Sequence, residues 1–369
     1  GWARTGTQPR IAIIGAGMSG IAAVVKLRKA GYTDLTVFEK SDRVGGTWRE
    51  NTYPGLSCDV PSRYYSFSFA LKADWKHRYS YGPDIQAYME AVAQEFGVTE
   101  SVRFNTGGSR LVYDKPVWQL TTSQGSLETF DVVIAATGIL HKPVFPKIDG
   151  LEDFQGACFH SAQWDHSVDL GGKKVGVVGT GSTACQIVGA VTPQVGEMYV
   201  FQRTPQWMTA LLQKRYSSAW KKTLQVFPFL QNLLFFTYYQ TMLHTFGRAT
   251  VGSKSMQKLF SWLCMLNLRK NVPDPELRAR LTPDYQATCK RLIFCTDFYK
   301  SISRPNAHLV TEHIERIEPQ GIRTVDGQLH ELDVLVLATG FDATSFVLPT
   351  EVIGENGTSL EQFWEVAHR

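Results

Sequence analysis

Gly15-Ala-Gly17-Met-Ser-Gly20 follows the apolar run Ile11–Ile14, and Gly179-Thr-Gly181-Ser-Thr-Ala184 follows the run Lys174–Val178. Each loop stands between a strand-like run and a helix-like one. In the first, Ile21–Lys29 reads as a helix and Leu35–Glu39 as a second strand. In the second, Gln186–Ala190 reads as helix and Met198–Gln202 as strand. Two βαβ units in one chain predict an α/β fold with two Rossmann-like dinucleotide-binding domains, each with a parallel sheet.

The glycines have a mechanical purpose. Such a loop needs a tight turn, close approach of backbone to a pyrophosphate, and close packing of helix on strand. The phosphates then sit at the amino end of the following helix. Candidate cofactor contacts are therefore Gly15, Gly17, Ser19 and Gly20 in the first loop. Gly179, Thr180, Gly181, Ser182 and Thr183 are their counterparts in the second. Ala184 replaces the third glycine there, a variation the pattern allows.

The ends of the second strands separate the two sites. Glu39 lies 24 residues after Gly15, and Arg203 lies 24 residues after Gly179. An acid at that place accepts hydrogen bonds from ribose hydroxyls. A base there pairs with a 2′-phosphate. This predicts FAD at the first site, with Glu39 and Lys40, and NADPH at the second, with Arg203 and Thr204. A solvated surface arginine is the competing reading of Arg203. One chain that holds two such nucleotides can pass electrons between them.

Composition narrows the field. The 369 residues are enough for two domains, each with its own core. A formal net charge of +4 is too small and dispersed to argue for nucleic acid. Six cysteines without metal-type spacing read as reduced thiols, which predicts a cytoplasmic protein with no metal. A disulfide reductase is disfavoured, because no redox Cys-x-x-Cys follows the first loop. Gly1–Arg10 reads as a ragged terminus. Val226–Phe246 is too polar to span a bilayer and predicts a buried or amphipathic helix, with peripheral membrane contact as the alternative. The expected association state is a monomer or weak oligomer.

Further along, Asp84–Phe96 reads as a helix and Asp131–Ala135 as a strand ending in Ala136-Thr137-Gly138. Residues 216–280 are helical in pattern, with a break at Val272-Pro273-Asp274-Pro275. Strand signals return at Leu292–Cys295, His308–Val310 and Leu335–Ala338. The last runs into Ala338-Thr339-Gly340, an echo of Ala136-Thr137-Gly138. The expected division is 1–150 as the first part of an FAD domain and 151–335 as an NADP domain with a helical insertion at about 216–280. Residues 336–369 would return to the FAD domain.

Between the two loops lies Phe154-Gln-Gly156-Ala-Cys-Phe-His160-Ser-Ala-Gln-Trp164-Asp165. Gly46-Thr47-Trp48 begins another patterned stretch that continues through Tyr53-Pro54-Gly55 to Cys58-Asp59. With both segments and both loops, the chain resembles the type I Baeyer–Villiger monooxygenases over nearly its whole length. The resemblance implies that NADPH reduces FAD, that the flavin captures O2 as a C4a-peroxyflavin, and that one oxygen is inserted beside a ketone carbonyl to give an ester or lactone. Sulfides are a further substrate class.

The resemblance also assigns residues. Arg291, in Cys289-Lys290-Arg291, would be the catalytic arginine, since an anionic peroxide and adduct call for a cation. Lys290 would contact the NADP phosphate. Asp59 would orient Arg291 beside the flavin. Gly46, Thr47, Trp48, Ala136, Thr137 and Gly138 fall among the cofactor contacts. Tyr65 is a candidate flavin contact, with a core aromatic as the competing reading. His160 and Trp164 would hold interdomain geometry rather than move protons. The aromatics of Phe227–Tyr239 read as helical core, with a ketone pocket as the alternative. Family members continue beyond the equivalent of Arg369, so an exposed sheet edge is expected at that end. Two other readings stand beside this one: a flavin-containing monooxygenase acting on nitrogen or sulfur, and an inactive nucleotide-binding fragment.

Overall fold

A computed structural model describes residues 8–295, 297–344, 347 and 349–367. Residues 1–7 of the expected ragged terminus lie outside the described residues. The chain divides into two compact units, residues 1–50, 85–143 and 341–369 in the first, and 51–84 and 144–340 in the second.

In unit one, four parallel strands run in the order Val102–Arg103, Leu35–Phe38, Ile11–Ile14, Val132–Ala135. Ile11–Ile14 is buried throughout, as a central parallel strand must be. The helix Met18–Lys29 buries Gly20, Ile21, Val24 and Val25 and leaves its lysines and arginine in the last turn, where they suit the helix dipole. A second sheet is an antiparallel meander of Gly108–Asp114, Val117–Thr122 and Leu127–Phe130, with Glu351–Ile353 added in parallel. Phe38 and Phe130 meet edge to face at 5.8 Å in the core between the sheets. Each such buried ring contributes roughly 1.5–3 kcal/mol. The strand Glu351–Ile353 pairs only with Gly108–Asp114 and is the outermost strand of its sheet, so a sheet edge stands there as expected. Val132–Ala135 is a half-buried margin of the parallel sheet.

In unit two, five parallel strands run in the order Ala307–Val310, Glu197–Phe201, Lys174–Val178, Val334–Leu337, Ala157–His160. A three-stranded antiparallel sheet, Ile314–Glu318, Gly321–Thr324 and Leu329–Glu331, packs its Ile317 and Ile322 into the same core. The helical insertion comprises Ser218–Val226, Phe229–Met242, Lys254–Asn271 and Pro275–Arg280, with a break at Val272. Its own core gathers Trp207, Ala249, Phe260, Cys264, Ala287 and Leu292.

Two boundaries differ from those read in the sequence. Val334–Leu337 pairs with Lys174–Val178, so the Ala338-Thr339-Gly340 echo follows a strand of unit two's own sheet, and the chain re-enters unit one only at Phe341. Residues 51–84 belong to unit two. The Gln186 side chain accepts from the Tyr53 hydroxyl at 3.0 Å and donates to the Ser57 carbonyl at 2.9 Å, tying this segment to the helix Ser182–Val191. The φ of +82° at Gly55 favours glycine, and a Cβ there would stand 2.6 Å from the Gln186 carbonyl oxygen.

Candidate functional site

The first loop is shaped as its glycines require. Gly15 has φ +104°, and a Cβ there would lie 2.6 Å from the Ala136 carbonyl oxygen. At Gly20 a Cβ would lie 2.0 Å from the Gly15 carbonyl oxygen, so helix and loop touch with no room for a methyl group. Gly17 caps the helix without a side-chain hydrogen bond, which leaves the cap position open for an anion. Ser19 is exposed in the first turn.

Glu39 is buried, and its two carboxylate oxygens accept from the backbone N–H of Ala16 at 2.7 Å and of Ser41 at 2.9 Å. The acid thus holds the loop itself and keeps lone pairs for hydroxyl donors. Lys40 pairs with Glu50 at 2.7 Å. Gly45 and Gly46 both have positive φ, and the turn leads into the short helix Thr47–Glu50, which carries Trp48. Ala136 donates to the Ile14 carbonyl at 2.8 Å, Thr137 follows, and Gly138, at φ +74°, has open space where a Cβ would project.

Unit two repeats the construction. Gly179 has φ +117°, and a Cβ would lie 2.5 Å from the Ala338 carbonyl oxygen. Gly181 caps the helix Ser182–Val191 without a side-chain hydrogen bond, and nothing lies within 4 Å of where its Cβ would be. Ser182 and Thr183 form the first turn, and Ala184 is fully buried below it. The Thr180 hydroxyl donates to the Thr204 carbonyl at 3.0 Å, which fastens the loop to the end of the second strand. Arg203 is exposed there and makes no ion pair within the described residues. Both cradles leave room and open N–H donors for a nucleotide diphosphate, so the residues present fit such a group.

The basic pair sits on a short loop. Ala287 and Leu292 are buried anchors in the helical core, and Lys290 and Arg291 between them are pushed outward. Thr288, at φ +75°, is a β-branched residue in the left-handed region, an unfavourable conformation held by the anchors on either side. Lys290 Nζ lies 4.5 Å from the centre of the Tyr285 ring. The Tyr285 hydroxyl donates to Gln206 Oε1 at 2.9 Å, so the lysine stands on a ring fixed to the stretch that follows Arg203-Thr204.

Arg291 reaches Asp59 at 3.5 Å, across 232 residues of sequence. The arginine side chain is 72% exposed and the aspartate 22%. This loose pair orients a guanidinium and leaves most of its donors to solvent or ligand. Just before Asp59, burial pushes the Cys58 thiol up to about 12, which keeps it protonated and unreactive. Burial likewise pushes Tyr53 up to about 12.

Residues expected around one flavin fall in both units. Gly15, Glu39, Gly46–Trp48 and Ala136–Gly138 are in unit one, whereas Asp59 and Tyr65 are in unit two with Lys290 and Arg291. Tyr65 is half-buried, and its N–H donates to the Pro61 carbonyl. Gln186 and Tyr285 were not among the expected site residues. Their sequence signal is weak, because a glutamine on a helix and a tyrosine in a loop have many ordinary uses.

The central segment is built into unit two. Phe154 packs on the core, and a Cβ on Gly156 would lie 2.3 Å from the Asp333 carbonyl oxygen. His160 is fully buried, its Nδ1 accepts from the Ala162 N–H at 3.1 Å, and burial lowers its pKa against the pull of a hydrogen bond at the Gly340 backbone. Trp164 meets Phe159 edge to face at 5.0 Å. Asp165 accepts from the Ser167 hydroxyl and N–H.

Comparison with known proteins agrees with this construction. Residues 8–355 match the family described as FMO-like, flavin-binding monooxygenase-like. An uncharacterized monooxygenase of Mycobacterium tuberculosis is 44% identical over 361 residues, covering 98% of this chain and 72% of the relative. A Baeyer-Villiger monooxygenase of Streptomyces coelicolor is 37% identical over 361 residues, covering 96% and 69%. Among solved structures, NADP+-bound cyclohexanone monooxygenase from Rhodococcus sp. Phi1 superposes with a TM-score of 0.84 at 30% identity, covering 97% of this chain and 76% of that one. The chain belongs to the flavin-binding monooxygenase-like family, and within it to the Baeyer–Villiger monooxygenases.

Proposed function

We propose that the protein uses NADPH and O2 to insert one oxygen atom beside a ketone carbonyl, giving an ester or lactone. The observation that carries this reading is the Asp59–Arg291 pair at 3.5 Å, an oriented yet exposed cation in a chain with two nucleotide cradles. FAD would be held by Gly15, Gly17, Gly20 and Glu39, with Gly46–Trp48 and Ala136–Gly138 around it. NADPH would be held by Gly179–Thr183, Arg203, Thr204 and Lys290. Bound and reduced, the flavin supplies the oxygen-activating chemistry.

The chain's own residues supply charge and order. The Arg291 guanidinium stays protonated at any working pH and offers several donors to an oxygen that gains negative charge. Asp59 sets its direction. Arg203 pairs with a 2′-phosphate and so selects NADPH over NADH, aided by Lys290 on its tyrosine support. Sulfides are the second substrate class. Six free cysteines support a reducing, cytoplasmic setting.

The test is a product assay with FAD, NADPH and air on linear, cyclic and aryl ketones and a thioether. An ester or lactone one oxygen heavier than its ketone is the expected product. Sulfoxide as the sole product, or NADPH consumed with release of peroxide alone, overturns the assignment of Arg291.

A further inference from the structure

Between Glu197 and Asp274 the chain has no aspartate or glutamate, yet nine lysines and arginines fall between Lys214 and Lys270. None of those nine makes an ion pair with the described residues. This cationic stretch is the helical insertion, and its apolar surface is as unusual as its charge.

The middle helix, Phe229–Met242, contains no charged residue, and none of its residues is buried. A helix rich in large apolar side chains and without charge is ordinarily packed against a core. Here Phe229, Leu233 and Phe236 are 63%, 55% and 56% exposed, at spacings that place them on one face. The helix Lys254–Asn271 buries Phe260, Cys264 and Leu268 and turns Leu259, Trp262 and Leu266 outward, with Trp262 at 60%. The expectation of a helical core at Phe227–Tyr239 is thus not met at its outward positions. Large exposed apolar side chains that share one helix face mark a binding surface.

Charge selects the occupant. A second copy of the chain would set against each other two cationic stretches that carry no acid of their own between residues 198 and 273. An anionic lipid surface answers both features, since aromatic and leucine side chains enter the boundary of headgroups and acyl chains while lysines meet phosphates. We propose that the helical insertion of unit two docks on anionic phospholipid bilayers. Phe229, Leu233, Phe236 and Trp262 enter the interface, and Lys222, Lys254 and Lys258 face the headgroups. The helices lie on the bilayer, for no helix among the described residues is long and apolar enough to cross one. A lipid surface also gathers poorly soluble ketones. That consequence rests on the monooxygenase reading, whereas docking does not.

Vesicle co-sedimentation tests the surface without any turnover. The probes are phosphatidylcholine vesicles alone and with about a third phosphatidylglycerol. Binding at least tenfold tighter to the anionic vesicles is expected, weakening with salt, with a blue shift of tryptophan emission. Leu233→Asp with Phe236→Asp is expected to lose about tenfold or more. Lys254→Glu with Lys258→Glu does the same through charge alone and leaves the apolar surface intact, and both variants keep the parent melting temperature. Equal binding to the two compositions, binding to neither, or binding unaffected by both variants overturns the proposal. So does a dimer in light scattering that the same substitutions dissociate.

Discussion

Gly20 and Ala184 occupy the same place in two loops built alike, and only one of them could be exchanged for the other. In both units the first glycine has positive φ and lies against the carbonyl of an alanine just past the neighbouring strand, Ala136 in one and Ala338 in the other. At the third position unit one has no room for a methyl group, while unit two buries one completely. The ends of the second strands diverge further. Glu39 is buried and bonded to its own loop, whereas Arg203 is exposed and unpaired within the described residues. The shared part is what any pyrophosphate needs. The divergent part is what we propose tells one nucleotide from another.

The largest effect should come from breaking that asymmetry. Gly20→Ala is expected to destabilise unit one by about 3 kcal/mol or more, because its Cβ meets a backbone oxygen that cannot swing away. A thermal melt with flavin absorbance reads this, and a melt equal to the parent's would show that the two loops are packed alike after all.

Next is chemistry. Arg291→Ala should leave flavin reduction by NADPH intact and lower ester formation by about a hundredfold or more. Its stability should change by under about 0.5 kcal/mol, as the side chain is largely exposed. Stopped-flow reduction beside product analysis separates the two.

Arg203→Ala sharpens the contrast with Glu39. It should raise KM for NADPH by about tenfold or more and leave KM for NADH nearly unchanged. Equal losses with both nucleotides would make Arg203 a general phosphate contact.

Ala184→Gly is the mirror of the first test and should cost only about 1 kcal/mol, from the glycine's extra chain entropy in a helix.

The smallest effect is a pH dependence confined to unit two. Arg323, and then Arg316, hold the Glu318 carboxyl down to about 2 from an ordinary 4.5. A depressed carboxylate pKa stabilises the fold above about pH 4.5, and that contribution is lost as pH falls toward 2. The melting temperatures of the parent and Glu318→Gln should converge over that window. The meander of unit one relies on Phe38, Leu120 and Phe130 and should show no matching change.

Much of this was legible along the chain. Apolar runs ending in glycine-rich loops located Ile11–Ile14 and Lys174–Val178 to the residue, because positive φ and close backbone approach are local steric demands. The antiparallel strands at 108–130 and 314–331 were not read. They are short, carry polar residues on their outer faces, and are defined by the partner across the hairpin rather than by their own pattern. The outward face of Phe229–Met242 also escaped, since a periodicity of apolar residues does not say whether anything covers them.

The sequence by itself determined the two cradles, the acid and the base at the ends of their second strands, and the family to which the chain belongs. Each depends on residues close together along the chain, where sterics and spacing act without help. The tertiary structure alone decided that 51–84 joins unit two and that Val334–Leu337 belongs to its sheet, and it gave the expected Asp59–Arg291 pair its geometry across 232 residues. Such long-range pairings depend on which loops close, and loop closure costs so little more with each added residue that spacing alone cannot select among them.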